Sequence, residues 1–172
     1  MSDIIYPATT ASDYDAFAGL VREYIEWARM RYRDHPWVID QVLSHQSFET
    51  ELQTLPACYG PPNGGTLLVQ REGRICGCGA YRRLSGTACE MKRLFVPDRY
   101  RGHGTGRRLC EAINASARDA GYTLMRLDTG NLFTEAIAMY QSMGFRTCAP
   151  HHAYPEKLLP YVVFMELPLA GG

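Results

Sequence analysis

The sequence predicts a single α/β domain: a mixed, mostly antiparallel twisted sheet of about six to seven strands, flanked by about four helices. Three observations carry this. The 172 residues suit one domain of ordinary size. Three β-rich runs between residues 66 and 96 are joined by turns too short for a crossover, which makes them an antiparallel meander. Helical periodicity appears both before and after that meander. With no internal repeat and no linker, residues 1–172 read as one unit.

In chain order, Ile4 to Tyr6 is a short first strand. Ser12 is placed to cap a helix, with Asp13 and Asp15 favourable in its first turn. Tyr14, Phe17, Ala18, Val21, Ile25 and Ala28 then recur at helical spacing to about Met30. A second helix fits Asp40 to about Leu55, and Pro56 followed by the Tyr59–Gly65 run predicts a loop. Thr66–Gln70, Arg74–Leu84 and Ala88–Val96 are the meander strands, turned at Glu72-Gly73 and Ser85-Gly86 and ended by Pro97. Strict alternation in the third strand puts Glu90, Lys92, Leu94 and Val96 on one face. A helix carries Leu109, Cys110, Ile113 and Ala117 and ends near Gly121. Tyr122–Asp128 is a strand, Thr134 caps a helix stopped by Gly144, and residues 145–148 and 161–167 are the last strands.

Composition excludes several classes. Hydrophobic residues at 46% and charged residues at 21% are globular values, not those of a disordered chain or a coiled coil. Eighteen basic and eighteen acidic residues give a net charge of zero, which argues against nucleic acid as a partner. The N-terminus lacks a basic and apolar leader, and the longest uncharged stretch is broken by proline and glycine, so neither secretion nor a membrane span is expected and a cytoplasmic protein is. None of the six cysteines forms C-x-x-C, so no metal site is expected and the thiols read as buried and free.

The charge is unevenly spread. Residues 92–108 carry six basic residues against one acidic one, a concentration that fits a local anion site. Inside it lies Arg101-Gly102-His103-Gly104-Thr105-Gly106, between a strand and a helix. Glycine lets backbone approach an anion closely, and the first helical N–H groups point at it. A Walker loop would need Lys-Ser/Thr after the last glycine, where Arg107 and Arg108 stand. A Rossmann turn has a different glycine spacing and follows the first strand of a parallel sheet.

The segment resembles the phosphate loop of the GNAT superfamily of acyl-CoA-dependent N-acetyltransferases, Q/R-x-x-G-x-G/A, at all three fixed positions. Leu94-Phe95-Val96-Pro97 is similar to the strand that enters this loop. Ala136-x-x-Met139-Tyr140-x-x-x-Gly144-Phe145 is similar to the downstream A-x-x-L-Y-x-x-x-G-F signature. The resemblance is firm from about residue 66 to 167.

It implies a GNAT-type fold with acetyl-CoA as co-substrate and no metal. Backbone groups of Leu94, Phe95 and Val96 are then expected to pair with the pantetheine arm. Gly102, His103, Gly104, Thr105 and Gly106 would hold the pyrophosphate, with Arg101, Arg107 and Arg99 neutralising it. The asparagine often found seven residues before the tyrosine is Phe133 here, and Asn131 is its nearest substitute. Tyr140 is expected to protonate departing thiolate and Glu90 to collect the proton of the acceptor amine, with Tyr81 and His103 as alternatives. Trp27, Met30, Tyr32, His35, Trp37, His152 and Tyr154 stand where acceptor specificity resides in such proteins. The implied activity is acetyl transfer to a primary amine of a small molecule by direct attack. An acyl-CoA sensor without turnover, and an enzyme acting on protein or peptide amines, are the alternatives. A homodimer is left open.

Overall fold

The computed structural model describes residues 2–169. Seven strands form one sheet in the order β1-β2-β3-β4-β5-β7-β6. The strands are β1 (Ile4–Pro7), β2 (Gly64–Arg71), β3 (Arg74–Ser85), β4 (Ala88–Phe95), β5 (Leu124–Gly130), β6 (Arg146–Thr147) and β7 (Val162–Pro168). All neighbours are antiparallel except β4 and β5. The meander expected from the short turns is β2-β3-β4. The single parallel pair needs a crossover, and α5 (Thr105–Asp119) supplies it.

Helix α1 (Ala11–Arg31) is capped two residues earlier than expected. Thr10 accepts from the Asp13 amide at 3.1 Å, and the Asp13 carboxylate accepts from the Thr10 amide at 2.9 Å. This reciprocal box satisfies two orphan donors, which Ser12 could not do. The helix expected over Asp40 to Leu55 is instead three: α2 (Pro36–His45), α3 (Phe48–Gln53) and α4 (Leu55–Tyr59). Ser47 takes a left-handed φ of 53° and breaks the first from the second. Pro56, which has no N–H to give, sits in the first turn of α4. The helix α6 (Thr134–Ser142) follows β5.

The two sheet faces bury separate cores. Leu109, Cys110, Ile113, Met125 and Met165 are fully buried beneath α5 and α6. Phe17, Val21, Tyr59, Leu68 and Cys78 are buried beneath α1 to α4. Among the described residues no helix is long and apolar enough to cross a membrane.

Candidate active site

The site begins where β4 stops behaving as a regular strand. Ala80 pairs with Lys92 but Cys78 pairs with Phe95, so one residue too many lies on β4 between them. Arg93 takes φ +59°, and the strand bulges there. The bulge overturns the simple alternation: Lys92 and Phe95, not Lys92 and Leu94, turn to the α1–α4 face, and Arg93 joins them. On the other side, β4 and β5 pair only over Ala88–Glu90 and Leu124–Arg126. Past that point the two strands splay.

The splay opens a cavity of about 410 Å³. Leu94, Phe95 and Val96 line it, as do Arg101, Gly102, Gly104, Thr105, Gly106 and Arg107 at its mouth. Gly102 and Gly104 hold φ of +88° and +72°, a region side chains disfavour. Gly104 caps α5, whose first amides face the same mouth without intrahelical partners. His103 and Asn131 lie outside the lining. The Asn131 side-chain oxygen accepts from the Tyr32 hydroxyl at 2.8 Å, and Phe133 lines the cavity instead, 4.8 Å from the Trp27 ring.

The arginines near the mouth already have partners. Arg101 donates to the Val96 carbonyl at 2.7 Å, pairs with Asp98 and stacks over Trp27. Arg99 pairs with Glu23, and Arg107 donates to Ser142. Arg108 and Arg71 both pair with Asp3, whose side chain is 1% exposed and whose carboxylate also accepts from the Thr105 hydroxyl. This knot, led by the Arg71 hydrogen bond, holds the Asp3 carboxyl well below the usual carboxylate range.

Tyr140 lines the cavity from the α6 side, its ring packed at 5.4 Å on Phe145. Burial pushes its hydroxyl well above the ordinary value of 10, so it stays protonated. Glu90 is fully buried and outside the lining. Arg82 donates to one oxygen at 2.7 Å, and His152 Nε2 lies 2.6 Å from the other. Burial alone would raise its pKa, but the His152 hydrogen bond and the charges of Lys92 and Arg82 hold it to about 2.

Behind these residues runs a buried polar chain. Arg93 bonds Glu51 at 2.9 Å and Gln46 at 3.0 Å. Gln46 donates to the Tyr154 hydroxyl at 2.6 Å, which donates to Asp128 Oδ2 at 2.7 Å. Ligand-capable atoms of Glu90, Asp128, His151 and His152 lie within 4.8 Å of one another. Such a donor set can take a divalent cation, but Arg82 and Lys92 already place positive charge on its two carboxylates. Burial lowers the His151 pKa and keeps that ring neutral.

Residues 62–147 match the family described as Acetyltransferase (GNAT) domain. An uncharacterised N-acetyltransferase of Schizosaccharomyces pombe is 34% identical over 160 residues, 92% of this chain and 90% of that one. The chain belongs to the GNAT acetyltransferase family. An IAA acetyltransferase of Azospirillum brasilense is 38% identical over 69% of this GNAT chain and 74% of its own. The fold is shared with a crystal structure of the PaiA N-acetyltransferase of Thermoplasma acidophilum in complex with coenzyme A, at a TM-score of 0.72 and 16% identity, covering 98% of this chain and 99% of that one.

Within this GNAT fold, Asp128, His151 and the Gln46–Arg93–Glu51 link are the site residues that sequence reasoning passed over. Asp128 carried one usable signal. The strand expected from the sequence ends at it, and in the structure it lies two residues before the end of β5, beside the splayed strand, near where open α/β sheets bind ligands. His151 and Gln46 reach the site from loop and helix end, which no local pattern marks.

Proposed function

We propose that this protein transfers the acetyl group of acetyl-CoA to a primary amine of a small molecule, by direct attack with both substrates bound. The observation that carries this is the continuity of one cleft from the glycine turn at α5, through the gap between β4 and β5, to Tyr140. Gly102 and Gly104 leave room for a diphosphate against the first amides of α5. Past the bulge, β4 leaves backbone groups free of β5, so an extended amide-bearing arm can add to the strand edge. The cleft brings the amine against the thioester carbonyl, so proximity supplies much of the rate. The amine nitrogen forms the new C–N bond, the C–S bond breaks, and Tyr140 gives its proton to the thiolate. The amine's proton goes to the cluster of Glu90, His152, His151 and Asp128. Glu90 keeps its charge there and orients the His152 imidazole through their 2.6 Å contact.

The test is thiol release from acetyl-CoA across a library of primary amines, with a coenzyme A titration alongside. Amine-dependent release is expected. Gly104→Asp, which adds a carboxylate at φ +72°, should abolish coenzyme A binding in a protein that still folds. Coenzyme A binding with no release for any amine would instead favour a sensor, and no binding would refute the loop as a cradle.

A further inference from the structure

Lys92 and Asp128 face each other across the acceptor half of the cleft without satisfying each other. Both line the cavity. Their side chains are 6% and 7% exposed, and Lys92 Nζ stands 3.9 Å from Asp128 Oδ1, beyond hydrogen-bond reach. Asp128 Oδ2 is held by Tyr154, but Oδ1 is buried and accepts nothing. A buried charged atom left without a partner is costly, and natural sites keep such atoms where a ligand completes them. Every other charged group of the floor is paired within the protein: Arg93 with Glu51, and Arg82 and His152 with Glu90. The neighbouring His151 ring also has both nitrogens buried and unpartnered, but burial keeps it neutral, so the uncommitted charges of the floor are those of Lys92 and Asp128.

Resting on the acetyltransferase reading, we infer that the acceptor is a free α-amino acid with a large apolar side chain. Its carboxylate completes Lys92 and its amine completes Asp128 Oδ1. Charges of alternating sign then close a four-membered ring, and the two guest charges sit on neighbouring atoms, as the short gap between Lys92 and Asp128 requires. The wall beyond the pair is apolar, made by Trp27, Val38, Ile39, Val42 and Leu43. It offers a side chain burial and offers a second charge nothing. Asp128 is held in place from behind by the Arg93–Gln46–Tyr154 relay, so its free oxygen keeps its aim.

Calorimetric titration of the coenzyme A-loaded protein tests this with three probes: L-phenylalanine, L-phenylalaninamide and 2-phenylethylamine. The amide keeps shape and amine but loses the negative charge. Phenylalanine is expected to bind about tenfold or more tighter than either, the worth of one charge-assisted contact. Lys92→Met should bring the three within about threefold. Equal affinity in the wild type, or a preference for the amide as a peptide N-terminus would show, overturns the inference whether or not the variant folds. An unchanged preference in Lys92→Met overturns it too. Acetylation of 2-phenylethylamine as readily as phenylalanine leaves the acetyltransferase reading standing and removes this one. Selective binding of phenylalanine without acetyl transfer does the reverse.

Discussion

On the face that carries α5 and α6, the sheet meets Leu109, Ile113, Met125 and Met165, with thiols at Cys89 and Cys110 between them. On the face that carries α1 to α4, the same sheet buries Phe17 and Val21 beside the ion pairs Glu51–Arg93 and Glu90–Arg82, and beside Lys92 and Asp128, which face each other at 3.9 Å without a hydrogen bond. The first face stabilises by apolar area, a graded and forgiving quantity. The second is an all-or-nothing network, in which each group depends on a partner from another element. The contrast teaches where function is housed. From the apolar face Tyr140 brings a buried hydroxyl to the cleft, with Arg107 and Glu135 at its edge, while Lys92, Arg93 and Asp128 line it from the charged face.

The most severe way to break the charged face is Glu51→Ala. It strands the Arg93 guanidinium in the interior, and denaturant melts should show a loss of about 3–5 kcal/mol. Replacing both partners with methionine should recover most of that, because the unpaired charge then disappears. Acid acts next. The Glu90 pKa is depressed to about 2, so its contribution is complete above the unfolded value near 4.5 and is lost as pH falls from there through about 2. That contribution is roughly 3 kcal/mol, and Glu90→Gln should flatten this part of a pH–stability curve. On the apolar face, Tyr140→Phe should lower turnover by about a hundredfold while leaving the melting temperature and coenzyme A affinity nearly unchanged. Full turnover in that variant would transfer thiolate protonation to water. The smallest effect belongs to Ile113→Val, expected to cost about 0.5–1.5 kcal/mol with no change in acetyl transfer. If Ile113→Val proved as damaging as Glu51→Ala, the distinction between the two faces would collapse.

The apolar face and the cleft mouth were legible in the sequence because their determinants are local. Short turns announced β2 to β4, glycine spacing announced the loop, and helical periodicity announced α5. The charged face was not, because its pairs are long-range. Glu51 and Arg93 meet across 42 residues, and His152 and Glu90 across 62. Neither spacing leaves a periodic trace. The bulge was equally hidden, since Lys92-Arg93-Leu94 has no glycine to mark a positive φ. Missing it misplaced Leu94 and Phe95 between faces. The single helix expected over Asp40 to Leu55 failed for a related reason. Its apolar residues suited a helix, but Ser47 turns left-handed where Phe48 and Glu51 dock into the core.

The three-residue seam between β4 and β5 also divides the sheet into two leaves. One leaf, β1 to β4, pairs strands that follow one another in the sequence once the helices of residues 11–59 are set aside. The other, β5 with β7 and β6, closes on itself through a ladder running from Leu124–Pro168 to Gly130–Val162. Each leaf is drawn from its own stretch of chain, and α5 is the crossover that links them. The seam is then the narrow joint of the sheet: a ladder of Ala88–Glu90 on Leu124–Arg126 is all the backbone pairing that ties one leaf to the other, and the cleft begins where it stops.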